Sequence, residues 1–159
     1  MDGGTRSFTE FFEVEYQPVL RVTYVIVGSW HVAQEITQEA FTKAFVNWRR
    51  VSGYDRPGAW VRRVAIRDAV RSRKRSQRPL HVLQPSVVEP PELAETAQLL
   101  TGLSAKQRAA VALHYLEDRP VDEVAAQLRC TPSTVRTHLQ RAREVLAVSL
   151  AETTGGTDV

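Results

Sequence analysis

The sequence predicts an all-α protein of two small helical domains, an N-terminal helical bundle and a C-terminal helix-turn-helix domain joined by a flexible linker. Three observations carry this. Apolar residues recur at helical spacing in successive segments. Eleven of the twelve aromatic side chains lie at or before Trp60, so the halves differ in composition. Between them the polar stretch Gln77 to Pro91 holds Pro79, Pro85, Pro90 and Pro91, which forbid a continuous helix. The boundaries follow: residues 1–76, a linker over 77–91, residues 92–151, and a disordered tail over 152–159.

In the first domain Ser7 and Glu10 have the spacing of a capping box, followed by Phe11, Phe12, Tyr16, Leu20 and Tyr24 on one helical stripe. Gly28-Ser29 ends that helix. A second is expected from about His31 to Trp48, with Ile36, Ala40, Phe41, Ala44, Phe45 and Trp48 as its stripe. Residues 52–58 read as a loop. A third helix, striped by Trp60, Val61, Val64, Ala65 and Ala69, then runs directly into a basic segment. Three helices of this length make a small bundle with a modest core.

The second domain opens with a short helix over Glu92 to Leu100. Ser104 and Gln107 form another capping box, starting a helix with Ala109, Ala112, Leu113 and Leu116. Val121, Val124, Ala125 and Leu128 occupy i, i+3, i+4 and i+7. After the tight connection Arg129-Cys130-Thr131, with Thr131 as N-cap and Pro132 at the first helical position, Val135, Leu139, Ala142 and Leu146 stripe a last helix to about Leu150. Two helices joined by so short a turn make a helix-turn-helix.

Composition excludes several classes. With 43% hydrophobic residues the chain is not wholly disordered, and no stretch is apolar for long enough to cross a membrane. The first residues lack a basic-then-apolar leader, and the lone Cys130 cannot form an internal disulfide, so a reducing cytoplasm is the expected compartment. The net charge of +3 conceals an uneven distribution. Residues 62–78 carry eight basic side chains against Asp68 alone, and 129–143 carry Arg129, Arg136, Arg141 and Arg143 with no acid. Two basic blocks separated by the acidic Glu89, Glu92 and Glu95 fit two polyanion-binding surfaces, although either block alone also fits a solvated helix face.

The last helix is the most informative. Outside its buried stripe it presents Ser133, Thr134, Arg136, Thr137, Gln140, Arg141 and Arg143. Hydroxyl and amide groups near a helix N-terminus suit phosphate oxygens, and arginines five residues apart can reach neighbouring positions in a major groove. Enzyme readings fare badly. The four histidines are scattered, no phosphate-loop, dinucleotide or nucleophile-elbow motif occurs, and no catalytic residue, metal site or cofactor is expected. Glu35 and Glu39, one turn apart, read better as a solvated or partner-facing surface than as metal ligands.

These residues carry a resemblance. Ala33 to Phe41 resembles the clamp-binding helix of bacterial RNA polymerase sigma factors of the extracytoplasmic-function group, and within it the SigE-like actinobacterial subfamily. Trp60 to Ala65 is similar to the stretch that precedes their basic helix. Leu103 to Arg108, Val121 to Ala125 and Thr134 to Arg143 resemble their C-terminal domain. The resemblance implies a factor without chemistry of its own that brings core polymerase to promoters. Glu35, Gln38, Glu39, Phe41 and Lys43 would bind the clamp helices of the β′ subunit, with the β flap as a further polymerase contact. Trp48, Tyr54, Arg62, Arg63, Arg67, Arg71, Arg73, Lys74 and Arg75 would recognise and open the −10 element. Trp48 and Trp60 suit core positions as well, Trp60 the better of the two, whereas Tyr54 in its polar loop suits base stacking. Ser133, Thr134, Arg136, Thr137, Gln140, Arg141 and Arg143 would read the −35 element as duplex.

This sequence departs from the family pattern where Arg67 stands in place of an Asn, followed by Asp68 in place of an apolar residue, and where Gln34 replaces an acid. The first departure bears on the −10 contacts. An anti-sigma protein is a further possible partner, and a monomer is expected when free. By size alone, two modules and an extended linker of this length reach about 80 Å, or about 23 base pairs. The alternative function is a helix-turn-helix regulator that binds DNA without joining polymerase, and a third is a protein-docking adaptor. The basic block of the first domain argues against a mere sensor.

Overall fold

The computed structural model describes residues 7–76 and 90–155, and among these there are helices and no strand. The expected linker therefore lies outside the described residues except for Pro90 and Pro91, as do Arg78 and the last four residues of the expected tail.

Helix α1 spans Phe8–Val27. Ser7 Oγ accepts the Glu10 amide at 3.2 Å, and Gly28 closes the helix at φ 72°, a left-handed conformation that glycine adopts without a Cβ penalty. Helix α2 spans Trp30–Val46, capped by Ser29, whose Oγ accepts the Val32 amide at 3.4 Å. It stops short of the expected Trp48. Asn47 leaves helical geometry at φ −103° and ψ 20°, and its Nδ2 donates to the Lys43 carbonyl, the local competition with the backbone to which Asn is prone. Trp48–Val51 then form a separate turn, α3. Helix α4, Pro57–Ser76, begins ahead of the expected stripe because Pro57 has no amide hydrogen to leave unsatisfied in a first turn.

In the second half α5 spans Pro91–Leu99 and α6 spans Ala105–Val111. The Ser104 box is complete: Ser104 Oγ accepts the Gln107 amide at 3.2 Å while Gln107 Oε1 accepts the Ser104 amide at 3.0 Å. The expected continuation to Leu116 is present as a π-helical turn over Ala112–Leu116, in which the Glu117 amide donates to the Ala112 carbonyl. Helix α7 spans Val121–Leu128, and α8 runs from Pro132 to Gly155 rather than ending near Leu150. No proline or glycine interrupts α8 before Gly155, so the first part of the expected disordered tail is helical.

Two clusters of buried side chains hold these helices together. One joins Phe11 and Val19 of α1, Phe41 and Ala44 of α2, and Val61 and Ala65 of α4. The other crosses between the halves: Val22, Val25 and Ile26 share a core with Leu100, Ala109 and Leu113 and, beyond them, Val124 and Leu139. Full burial of a Val, Leu or Ile contributes about 1.5–3 kcal/mol relative to exposure. The N-terminal bundle and the helix-turn-helix are thus packed together in a closed arrangement.

Polar links reinforce the seam. Arg62 is 7% exposed, and its guanidinium lies 3.3 Å from Glu15 and 3.0 Å from Glu117 of the other half. Arg56 meets Glu123 at 3.2 Å. The fully buried Arg108 donates to the Ile26 carbonyl at 3.4 Å and the Leu103 carbonyl at 3.3 Å.

Candidate nucleic-acid and polymerase interfaces

Helix α8 separates its two functions by rotation. At 100° per residue, Ser133, Arg136, Thr137, Gln140, Arg141 and Arg143 fall within an arc of about 160°, with Val135, Leu139 and Ala142 on the opposite side. The first six are exposed and the last three buried. The turn before it is built for this. Arg129 adopts the left-handed conformation at φ 54° and closes α7, while Thr131 Oγ1 accepts the Thr134 amide at 3.2 Å. Thr131 also shares hydrogen bonds with the Ser133 and Thr134 hydroxyls, at 3.0 and 2.9 Å. Those hydroxyls crown the N-terminal end, where unpaired amides and the helix dipole favour an anion. Arg143 is held by the Tyr115 hydroxyl at 2.9 Å, and half-buried Thr134 leans toward α4.

His138, on that same inner side, is pushed below 6.5, first by burial and then by Lys106 and Arg141.

Helix α2 has a comparable division. Glu35, Gln38, Glu39 and Thr42 are exposed along one face, and Phe45 and Val46 complete it, 62% and 75% exposed. Phe45 was expected in the buried stripe. Its position, one residue past Ala44, turns it outward, where it rests edge-on against Phe8 at 5.1 Å. An acidic strip ending in two exposed apolar side chains suits a basic partner surface with an apolar step. Glu35 meets His31 at 3.0 Å.

Two residues expected to touch polymerase face elsewhere. Phe41 is 2% exposed, packed between Phe11, Phe12 and Tyr16, because it lies on the side of α2 that carries Ala40 and Ala44. Lys43 is half-buried and bonded to Asp68 at 3.2 Å. That bond gives the unusual Asp68 a structural task, tying α2 to α4, with Arg67 also 3.5 Å away.

The expected −10 residues divide likewise. Arg67, Arg71, Lys74 and Arg75 are exposed along α4, with Arg63 and Arg73 half-buried. Tyr54 is exposed in its loop, whereas Arg62 is locked between two carboxylates and is not available to DNA in this arrangement. Trp48 is half-buried, its ring 4.9 Å from Phe11 and 5.4 Å from Phe8, so it belongs chiefly to the aromatic cluster. Sequence reasoning missed Glu117 and Arg108, which join the halves. A buried arginine leaves no periodic signal.

Comparisons with known proteins bear on both surfaces. Residues 11–79 match the family model described as Sigma-70 region 2, and residues 93–146 match that described as Sigma-70, region 4. The chain is 24% identical to the ECF RNA polymerase sigma factor SigW of Bacillus subtilis, over 94% of this chain and 92% of the relative. It is 27% identical to the RNA polymerase sigma-E factor of Streptomyces coelicolor, over 88% and 84% respectively. Its fold is similar to that of the sigma factor RpoE crystallised with the anti-sigma factor NepR from Bartonella quintana. That match has a TM-score of 0.72 at 19% identity and covers 91% of this chain and 96% of that one.

Proposed function

This chain belongs to the sigma-70 family of RNA polymerase sigma factors, in the extracytoplasmic-function group, and from that premise we propose how its surfaces divide the work. It is a transcription initiation factor that directs core polymerase to promoters. The exposed face of α2 is the polymerase-docking surface. Glu35, Gln38 and Glu39 pair with basic groups of the β′ clamp, and Phe45 with Val46 covers an apolar step beside them. The exposed basic side of α4, from Arg67 to Arg75, holds the −10 region. Its arginines grip phosphates while Tyr54 offers a ring on which an unpaired base can stack. The outer arc of α8 reads the −35 duplex, with Arg136 and Arg141 on base edges and Ser133 and Thr137 on phosphates.

The single observation that carries this reading is the pairing, on one chain, of an acidic partner face on α2 with a polar arc on α8 that follows a three-residue turn. A plain helix-turn-helix regulator needs only the second. Its place of action is the compartment of the polymerase, the cytoplasm. The similar RpoE was crystallised in complex with an anti-sigma factor, and the exposed α2 face is where an inhibitor of this chain would compete with polymerase. Charge reversal tests the division. Arg136→Glu with Arg141→Glu abolishes −35-dependent initiation and leaves binding to core polymerase intact, whereas Glu35→Lys with Glu39→Lys weakens core binding at least ten-fold. Loss of core binding in the first pair, or none in the second, would contradict it.

A further inference from the structure

Between α4 and the helix-turn-helix the closed arrangement forms a partly open cavity of about 480 Å³. That volume is within the range of small-molecule sites, about 300–1,000 Å³, and too confined for a DNA duplex. Its walls come from both halves. Arg63, Arg67 and Arg71 line it from α4, while Lys106 of α6 and Arg129 of the helix-turn-helix turn line it from the other side. Trp60, Val70 and Leu128 supply an apolar slot between the charges. Among the described residues no carboxylate lines it.

Four of these cations are also uncompensated. Asp68, nearby on α4, is engaged by Lys43 and Arg67. Among the described residues no carboxylate pairs with Arg63, Arg71, Lys106 or Arg129, and Arg63 Nε is buried without a hydrogen-bond partner. Like charges converge in a cleft with low-dielectric walls, which concentrates the positive potential there. His138, which lines the same cavity, has its proton affinity lowered first by burial and then by Lys106 and Arg141. Folding the halves together costs repulsion at this place, and a bound anion removes it.

We propose that this cavity is a binding site for a nucleoside polyphosphate. Guanidinium groups form planar forks matched to phosphate oxygens, and Arg63, Arg71 and Arg129 supply three of them. Trp60, half-buried and part of the lining, supplies the aromatic surface for a flat base. Because the walls belong to different halves, the ligand bridges them and favours the closed arrangement by its preferential binding to it. The cavity shares Arg67 and Arg71 with the surface assigned to the −10 element, but its ligand binding is read without DNA or polymerase present.

The test titrates the full-length protein with GTP at fixed ionic strength, followed by calorimetry and tryptophan fluorescence. Guanosine and inorganic triphosphate serve as partial probes. The wild-type protein binds GTP at least ten-fold more tightly than either partial probe. Lys106→Gln with Arg129→Asn weakens GTP at least ten-fold. Lys106 is exposed and Asn tolerates the left-handed backbone at position 129, so this variant keeps the fold. Arg129→Asn alone gives a smaller loss and serves if the pair does not fold. Arg71→Gln, on the opposite wall, weakens GTP as well. No binding of GTP at millimolar concentration overturns the proposal, as does wild-type affinity in the Lys106 and Arg129 variants. An effect of Arg71→Gln alone assigns the anion to the exposed end of α4 and overturns it too.

Discussion

At the scale of single residues, Arg108 shows what holds the closed arrangement. It lies in the middle of α6 yet spends its hydrogen bonds on backbone carbonyls, including that of Ile26 near the end of α1, where helical carbonyls lack in-helix donors. Burial, and after it the positive Arg73, lowers its pKa to about 10. The folded protein therefore bears a charge penalty at every pH below about 10, relieved only as pH rises through that value toward 12.5. Arg108→Ala leaves the Ile26 carbonyl unsatisfied and opens a void at the seam. Urea denaturation is expected to show a loss of about 2–4 kcal/mol, with little change in that loss between pH 6 and 9. Arg62 is a second case. Its number places it in the basic block, but its side chain faces the seam, so charge counting assigned it to DNA. Gly58 assists: a Cβ there would lie 2.8 Å from the Glu15 carboxylate carbon that receives Arg62.

At the scale of elements, the helix-turn-helix was legible almost to the residue, because its signals are local. The Val121 to Leu128 stripe, the Thr131 cap and Pro132 each act within one or two turns. Thr131→Ala removes the acceptor for the Thr134 amide and costs about 1 kcal/mol of stability, read as a lowered urea midpoint. It also loosens the hydroxyl cluster at the head of α8, so −35 binding falls with it. Less legible were the ends of α2 and α6. Asn47 breaks α2 by a side-chain bond that periodicity does not register, and the π-helical turn is a change of hydrogen-bond register within an apolar run. That turn matters to the seam, because Glu117, just after it, meets Arg62.

At the scale of the whole molecule, the all-α class and the two sigma regions followed from the sequence, but the closed packing did not. Residues Val22 to Val27 are buried without a break, and a helix buried all round needs partners on more than one side. The reading of α1 as one stripe, from Phe11 to Tyr24, accounted only for its own bundle. In the closed arrangement Arg62 is withheld from DNA, and the inner side of α8 faces α4 across the cavity. Engaging two separate promoter elements with α4 and the outer arc of α8 requires the halves to move apart from this packing. Glu117→Lys sets a like charge against Arg62 and is expected to raise the radius of gyration in solution scattering and to strengthen promoter binding by the free protein several-fold. An unchanged radius would mean that the apolar seam alone keeps the halves together.

The most direct measurement is run-off transcription with purified core RNA polymerase, this protein and a pool of genomic promoter fragments. Discrete transcripts that depend on the added protein, and that vanish with Arg136→Glu and Arg141→Glu, are the predicted result. A protein that binds those fragments yet never programmes core polymerase to initiate would contradict the account.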